Sequence, residues 1–412
     1  MSVWQGFVPC MLLVPLVLGL ACPVQATEIH CRASTVIEWY DDPQEDTAVP
    51  LHQYLQLNLT DIADKGYNFR FYGRLADDIE NEVDVDSRLY YAYLEKRDLF
   101  DGLDFRLGRQ FISTTAGASV MDGLDLDYTF LDNYHVKLFG GGDVTEYDAY
   151  DVDSNGLWGL EAGGFFLDNA LDANLSYMQK WYDGVLSMEL IGFDASFDWE
   201  GKLWLYNETQ WDYLSDRLSY ELVGAKYRFN APWTLRLEYL YSLPVFSSTS
   251  IYSVFAVEDY EEVLAEAVWT MQPGVQSFFR YWHEIYDEFA DANVYEAGIE
   301  KLRTGRFSGY ISGVVRDDPD GQDLYGVKLR TAYLFTPKFE AGIGAEIDVM
   351  EREIAYFDTD DSDQDESTNT RLWVYGSYDF TKKLSLEAKF ERVESDLWDY
   401  YNRGRVRLNL LF

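Results

Sequence analysis

Apolar and polar residues alternate along strand-length stretches of the chain. At its end, Gly404, Val406, Leu408, Leu410 and Phe412 fall on one parity, and Arg403, Arg405, Arg407 and Asn409 on the other. Side chains of a β-strand alternate between its two faces, so this segment is apolar on one side and polar on the other. The pattern recurs. Trp233, Leu235, Leu237, Tyr239 and Tyr241 alternate with Thr234, Arg236 and Glu238. Phe339, Ala341, Ile343, Ala345 and Ile347 alternate with Glu340, Gly342, Gly344, Glu346 and Asp348. Val327, Leu329, Thr331, Tyr333 and Phe335 alternate with Lys328 and Arg330, and Leu384, Leu386, Ala388 and Phe390 with Ser385, Glu387, Lys389 and Glu391. One such segment also admits a half-buried edge strand of a soluble sheet. Sustained along the whole chain, the pattern predicts a closed barrel with lipid outside and water inside.

The connections fall into two kinds. Short ones rich in Asn, Asp, Gly and Pro predict tight hairpins at Asp64–Gly66, Asp101–Gly102, Leu131–Asn133, Leu167–Asn169, Glu200–Gly201, Asn230–Pro232, Gln272–Gly274, Arg303–Gly305, Thr336–Pro337 and Thr381–Lys383. Longer acidic ones fall at 76–87, 140–155, 243–261, 316–323 and 351–369. Short and long are expected to alternate without a slip, as periplasmic turns and external loops do. Ten short turns, a first strand near Ser34–Tyr40 and a last at Arg403–Phe412 predict an all-β, transmembrane, antiparallel up-and-down barrel of about 22 strands. The first strand and region 112–130 leave 20 open. No separate domain or linker stands out.

Residues 7–20 are almost wholly apolar and too short for a good spanning helix, and Val24-Gln25-Ala26 offers small residues at a cleavage site. The expected division is a secretion signal at 1–26 and a barrel at 27–412. No Lys or Arg precedes Arg32, so the usual basic start of such a signal is missing. No later stretch approaches the roughly 18 continuous apolar residues of a spanning helix. The 17% aromatic content suits a barrel with aromatic girdles. Removal of the signal leaves Cys31 as the lone cysteine, and no intramolecular disulfide is expected. The formal net charge of −39 argues against nucleic acid as a partner.

The ending resembles the C-terminal signal of Gram-negative outer-membrane β-barrels, which closes on an aromatic residue; on this resemblance Phe412, Leu410 and Leu408 are the assembly signal. The porin-like superfamily is implied, and with it the bacterial outer membrane, the lipid bilayer and lipopolysaccharide, and the barrel-assembly machinery as partners. Residues 106–110, Arg-Leu-Gly-Arg-Gln, look like a motif of several large porin-like barrels that is followed by an inward-folding loop. The likeness nominates residues 111–121, small and polar at Ser113, Thr114, Thr115, Gly117 and Ser119, as a loop that lines or narrows the lumen; an ordinary external loop stays open.

Acid concentrates in the predicted external loops. Asp358, Asp360, Asp361, Asp363, Asp365 and Glu366 are candidate oxygen ligands for a divalent cation, although their spacing lacks the EF-hand glycine and closing glutamate; a solvated, repulsive loop is the alternative. Further acids stand at Asp317, Asp318, Asp320 and Asp323, and at Asp143, Glu146, Asp148, Asp151 and Asp153. The predicted lumen is mixed in sign. Arg70, Arg74, Arg106, Arg236, Arg280, Lys328, Arg330, Lys389, Arg405 and Arg407 face inward, with Asp194, Asp198, Glu238, Glu296, Glu300, Glu340, Glu346, Asp348 and Glu387. They could form a basic arc opposite an acidic one, or pair across strands and stiffen the wall.

Enzymatic readings find little. None of the four His lies in a zinc-site spacing, nothing resembles a nucleophile elbow, and no C-x-x-C-H attaches haem, so no cofactor is expected. A barrel of 22 strands leaves a wide lumen that known transporters plug. Here only about seven residues separate the predicted cleavage site from the first strand, so no plug domain is expected. Two main functional readings remain. One is a porin-like channel for passive or selective passage of small solutes or ions. The other is a sheath around a periplasmic partner filling the lumen, such as the multihaem cytochrome of a porin–cytochrome conduit. A non-channel structural or adhesive barrel is a third.

Overall fold

The structure, a computed structural model, describes residues 28–412 apart from 42–46, 81, 132, 145–154, 230–231, 246–258, 288–289, 320–322, 353–364 and 396–397. Every helix or strand among the described residues is a strand: β1 (Glu28–Asp41), β2 (Thr47–Ala48), β3 (Pro50–Ile62), β4 (Tyr67–Asp78), β5 (Arg88–Lys96), β6 (Leu103–Thr114), β7 (Gly117–Phe130), β8 (Tyr134–Asp143), β9 (Gly156–Phe166), β10 (Leu171–Tyr182), β11 (Val185–Trp199), β12 (Leu203–Asp212), β13 (Arg217–Arg228), β14 (Trp233–Ser242), β15 (Tyr260–Gln272), β16 (Val275–Tyr286), β17 (Ala292–Lys301), β18 (Phe307–Asp317), β19 (Leu324–Thr336), β20 (Phe339–Arg352), β21 (Asp365–Asp379), β22 (Leu384–Ser395) and β23 (Trp398–Leu411). The two-residue β2 only prolongs β3 along β1, so the wall has 23 − 1 = 22 strands.

From β3 onward each strand pairs antiparallel with the next, and β1 pairs with β3 on one side. On its other side β23 returns to β1, from Arg32↔Leu411 to Tyr40↔Arg403, and closes the sheet. The Phe412 N–H donates to the Cys31 carbonyl at 2.9 Å, finishing that seam. Closure leaves neither the first nor the last strand as an edge, as a lipid-spanning sheet requires.

All ten short turns fall where the sequence puts them. The strict alternation of short turns with long loops does not hold. On the opposite rim, β6 and β7 are joined by Thr115-Ala116 alone, β10 and β11 by Asp183-Gly184, and β12 and β13 by residues 213–216. Asp183 and Gly184 have φ of 49° and 76°, the two-residue hairpin turn for which Asp-Gly is suited. Residues 111–121 are correspondingly not a loop: 111–114 end β6 and 117–121 begin β7.

Strand parity separates two faces. One carries the exposed apolar side chains, among them Leu138, Leu175, Leu237, Val327, Ile343 and Val374. The other carries nearly all the ion pairs. Trp199, Trp233 and Phe380 stand beside short turns, and Trp233 stacks on Trp269 across β14 and β15 at 5.8 Å.

Candidate functional site: a hairpin across the polar face

β6 and β7 begin as wall strands and then leave the wall. β6 pairs with β5 only from Phe105 to Arg109, and β7 pairs with β8 only from Phe130 to Met121. Beyond those residues the two strands pair with each other as far as Thr114↔Gly117. At the point of departure Arg109 grips Asp122 with two parallel bonds, Nε to Oδ1 at 2.9 Å and Nη2 to Oδ2 at 2.7 Å. Its Nη1 lies 3.4 Å from the Leu89 carbonyl of β5, which β6 no longer covers. A forked pair of this kind fixes orientation as well as proximity.

The hairpin tip lands on the polar face of β10, β11 and β12. The Ala116 N–H donates to Ser176 Oγ at 2.8 Å, and Gln210 Nε2 donates to the carbonyls of Thr115 and Ala116 at 3.2 and 3.1 Å. Thr115 Oγ1 donates to Asp194, which also accepts from Asn174 Nδ2 at 2.8 Å. Ser119 Oγ donates to Asp143 and accepts from Lys180 Nζ at 2.9 Å. Gly192 makes the fit possible: a Cβ there would lie 2.1 Å from the Ala116 nitrogen.

Beneath the hairpin is an apolar seat. Ile112, Ala116 and Met121 pack on Phe139, Leu157, Met178 and Leu190, all buried. The last four occupy parities that otherwise carry polar groups: Lys137 and Phe139, Leu157 and Glu161, Met178 and Lys180, Leu190 and Asp194. Fully burying a side chain the size of Ile or Met is worth about 1.5–3 kcal/mol, enough to hold the arm down. These seat residues were not singled out in the sequence. Their signal was available: four large apolar residues at polar-face positions on four successive strands. Val245, in the connection after β14, also packs against this cluster.

The charged residues nominated from sequence fall mostly into networks. Arg70 and Arg106 approach Glu95 at 2.8 and 3.7 Å, and Arg106 approaches Asp125 at 3.6 Å. Arg236 lies between Glu238 and Glu266 at 3.3 and 3.1 Å, and Arg280 between Glu266 and Glu296 at 2.7 and 3.0 Å. Lys328 meets Glu346 at 3.1 Å, Lys389 pairs with Glu391, and Glu340 accepts from Arg303 in a turn at 2.6 Å. Glu387 accepts from Asn409 Nδ2 at 3.0 Å, Glu300 from Gln276 Nε2 at 2.8 Å, and Arg74 donates to the Asp86 carbonyl at 2.7 Å. Asp198 caps a turn by accepting from Gly201 N–H at 2.7 Å. Arg330 lies over the Tyr375 ring at 5.8 Å. Glu95, Asp125, Glu266 and Arg371 complete the networks and were not nominated; Glu391 also belongs to them, on the polar parity that its strand's alternation gives it with Glu387 and Lys389.

Of the candidate cation ligands, Asp358, Asp360, Asp361 and Asp363 lie outside the described residues; Asp365 and Glu366 contribute backbone to the start of β21. No cluster of three or more His, Cys, Asp or Glu suited to a metal occurs among the described residues. The expected secretion signal also lies outside them.

No protein-family model and no curated protein matches the chain. Solved structures do match. A ferric enterobactin receptor of Pseudomonas aeruginosa is similar at 10% identity, over 93% of this chain and 80% of its own, with a TM-score of 0.62. P. aeruginosa OpdO and OpdQ are similar at 12% and 10% identity, over 94% of this chain and 97% and 99% of theirs, with TM-scores of 0.48 and 0.45. The fold is that of a large outer-membrane β-barrel. A closed sheet that turns its apolar residues to the exterior suits a lipid bilayer.

Proposed function

We propose that the chain is an outer-membrane channel for small solutes or ions, with the polar face as its lumen wall and the β6–β7 hairpin, rather than a plug domain, as its constriction. The observation that carries this reading is the docking of Thr115 and Ala116 on Ser176 and Gln210, which lays an arm of the barrel across its own polar face. A barrel of this strand number is wide, and an arm held by an apolar seat narrows it without closing it. The reading treats Arg70, Arg74, Arg106, Arg236, Arg280, Lys328, Arg330, Glu340, Glu346, Glu387, Lys389, Arg405 and Arg407 as lumen-lining. No observation favours the sheath around a cytochrome.

Single-channel recording of the refolded barrel in a planar bilayer tests the proposal. Steady conductance is expected; a folded barrel that passes no current would sink it. The same reading gives Phe412, Leu410 and Leu408 to the barrel-assembly machinery. Deletion of Phe412 should leave the protein secreted but poorly inserted, scored by the heat-modifiable fraction in outer membranes, and normal insertion would remove that assignment.

A further inference from the structure

We infer that the notch left where β6 and β7 fold inward opens the lumen sideways to the bilayer, and that its lip takes uncharged aliphatic solutes. The inference goes beyond the channel reading and rests on it for the identity of the polar face as lumen. It starts from the height of the wall. Only Leu103–Arg109 of β6 stand in it, the last pair with β5 being Ala92↔Arg109. A spanning strand needs roughly 9–11 residues, so the wall is cut low here. Beside the cut, Leu89 to Tyr91 of β5 keep β4 on one side and pair with no second strand among the described residues.

The hairpin folds over as a flap. Its inward parity, with Ile112 and Met121, goes down onto the apolar seat. The opposite parity is the one that faces lipid lower in the wall, and folding turns it toward the lumen. Four successive cross-strand pairs lie on that parity: Leu107↔Leu124, Arg109↔Asp122, Phe111↔Val120 and Ser113↔Ala118. Leu107 and Leu124 are exposed on the outer face, and Phe111, beyond the fold, is 59% exposed. One surface therefore runs from the bilayer, over the lip of the wall and into the lumen, without a change of strand.

The chemistry of this surface selects what it takes. Leu107 and Leu124 stand before the lip, Phe111 and Val120 behind it. The lip itself carries opposite charges that are spent on each other: Arg109 is 6% exposed and holds Asp122 by two bonds, and its Nη1 lies 3.4 Å from the Leu89 carbonyl. An ion crossing here would give up hydration and find both charges engaged. An aliphatic chain would leave water along the whole path. A lumen built for water alone is polar, and it has no use for Phe111 and Val120 facing into it.

The test is photolabelling of the barrel in phosphatidylcholine vesicles with a hexadecane that carries a diazirine, the labelled residues being read by peptide mass spectrometry. Leu107 should be labelled as a lipid-facing position, and Phe111 and Val120 with it. Tyr54 and Tyr72, stacked on the polar face of β3 and β4, should not be. Excess unlabelled hexadecane should cut the labelling of Phe111 several-fold and leave that of Leu107, because a site fills and a lipid-facing surface does not. Labelling of Leu107 without Phe111 or Val120 would overturn the inference. Equal labelling of Tyr54 and Phe111 would also overturn it, since the solute would then have entered by the aqueous mouth. A diazirine borne on a phospholipid chain should label Leu107 and spare Phe111; equal labelling of the two would give the surface to the bilayer's own chains and remove the solute. Conductance is a separate measurement. A barrel labelled at Phe111 that passes no current defeats the channel reading and leaves the side opening standing; one that conducts without label at Phe111 does the reverse.

Discussion

Two stretches of wall solve the same electrostatic problem with opposite stoichiometry. In the ion-pair network of β14 to β17, two cations meet three carboxylates: Arg236 lies between Glu238 and Glu266, and Arg280 between Glu266 and Glu296. In the ion-pair network of β19 to β22, three cations meet two carboxylates: Glu391 is shared by Arg371 and Lys389, and Glu346 by Lys328 and Arg371. Tyrosine follows the same division. On the first wall phenol groups donate to acids, Tyr310 to Glu296 at 2.7 Å, Tyr260 to Glu262 at 2.5 Å and Tyr286 to Glu284 at 3.0 Å. On the second, aromatic faces lie under cations: Tyr375 under Arg330, Trp373 under Arg371 at 5.4 Å. The comparison teaches that ion pairing stiffens both walls but does not neutralise them. The residual sign of each is set by which partner is in excess.

The largest effect is expected from removing the arm docked on β10 to β12, beside the acid-rich wall. Excising Ser113–Ala118 and joining the stubs with Gly-Gly should raise single-channel conductance several-fold, because the seat residues Phe139, Leu157, Met178 and Leu190 no longer hold a strand pair over the lumen. A smaller effect in the same direction is expected of G192V, whose side chain displaces the Ala116 backbone. Noisy, enlarged conductance would support it, and wild-type traces would mean that the hairpin does not set the pore.

Next come two charge removals that differ only in wall. R371M leaves Glu346 and Glu391 each short of a cation, and R280M does the same to Glu266 and Glu296. Both should shift the reversal potential in a salt gradient toward cation preference. R371M should shift it more, because it takes a cation from both carboxylates of the wall where cations are in excess; equal shifts would erase the distinction between the walls. The smallest expected effect is on stability. G344A forces the Trp373 ring off its bed and should cost about 1–3 kcal/mol by overpacking, whereas G305A, in an exposed turn with nothing within 4 Å, should leave the barrel's melting unchanged. A melt of the two variants side by side decides it.

Much of this was readable along the chain. The period of two is a local property of extended backbone, so parity alone placed Arg236, Lys328 and Glu346 on one face and Leu237, Val327 and Ile347 on the other. Asn, Asp, Gly and Pro punctuate turns for reasons internal to a few residues, so the ten short connections and the count of 22 came with them. The same local logic misjudged the other rim, where the Asp183-Gly184 hairpin sits in place of a loop.

The alternating sheet follows from local sequence, because each strand's two faces are written into its own residues. The departure of β6 and β7 from the wall depends instead on packing between strands. Phe105, Leu107 and Phe111 share one parity as in a wall strand, broken only at Arg109; the departure depends on Ile112, Ala116 and Met121 finding Phe139, Leu157, Met178 and Leu190 on four other strands. The tertiary structure also set the sign of each wall, because whether Arg330 or Arg280 keeps its charge for a solute depends on which neighbours share its carboxylates across the sheet, and cross-strand pairing is a property of register rather than of any one strand.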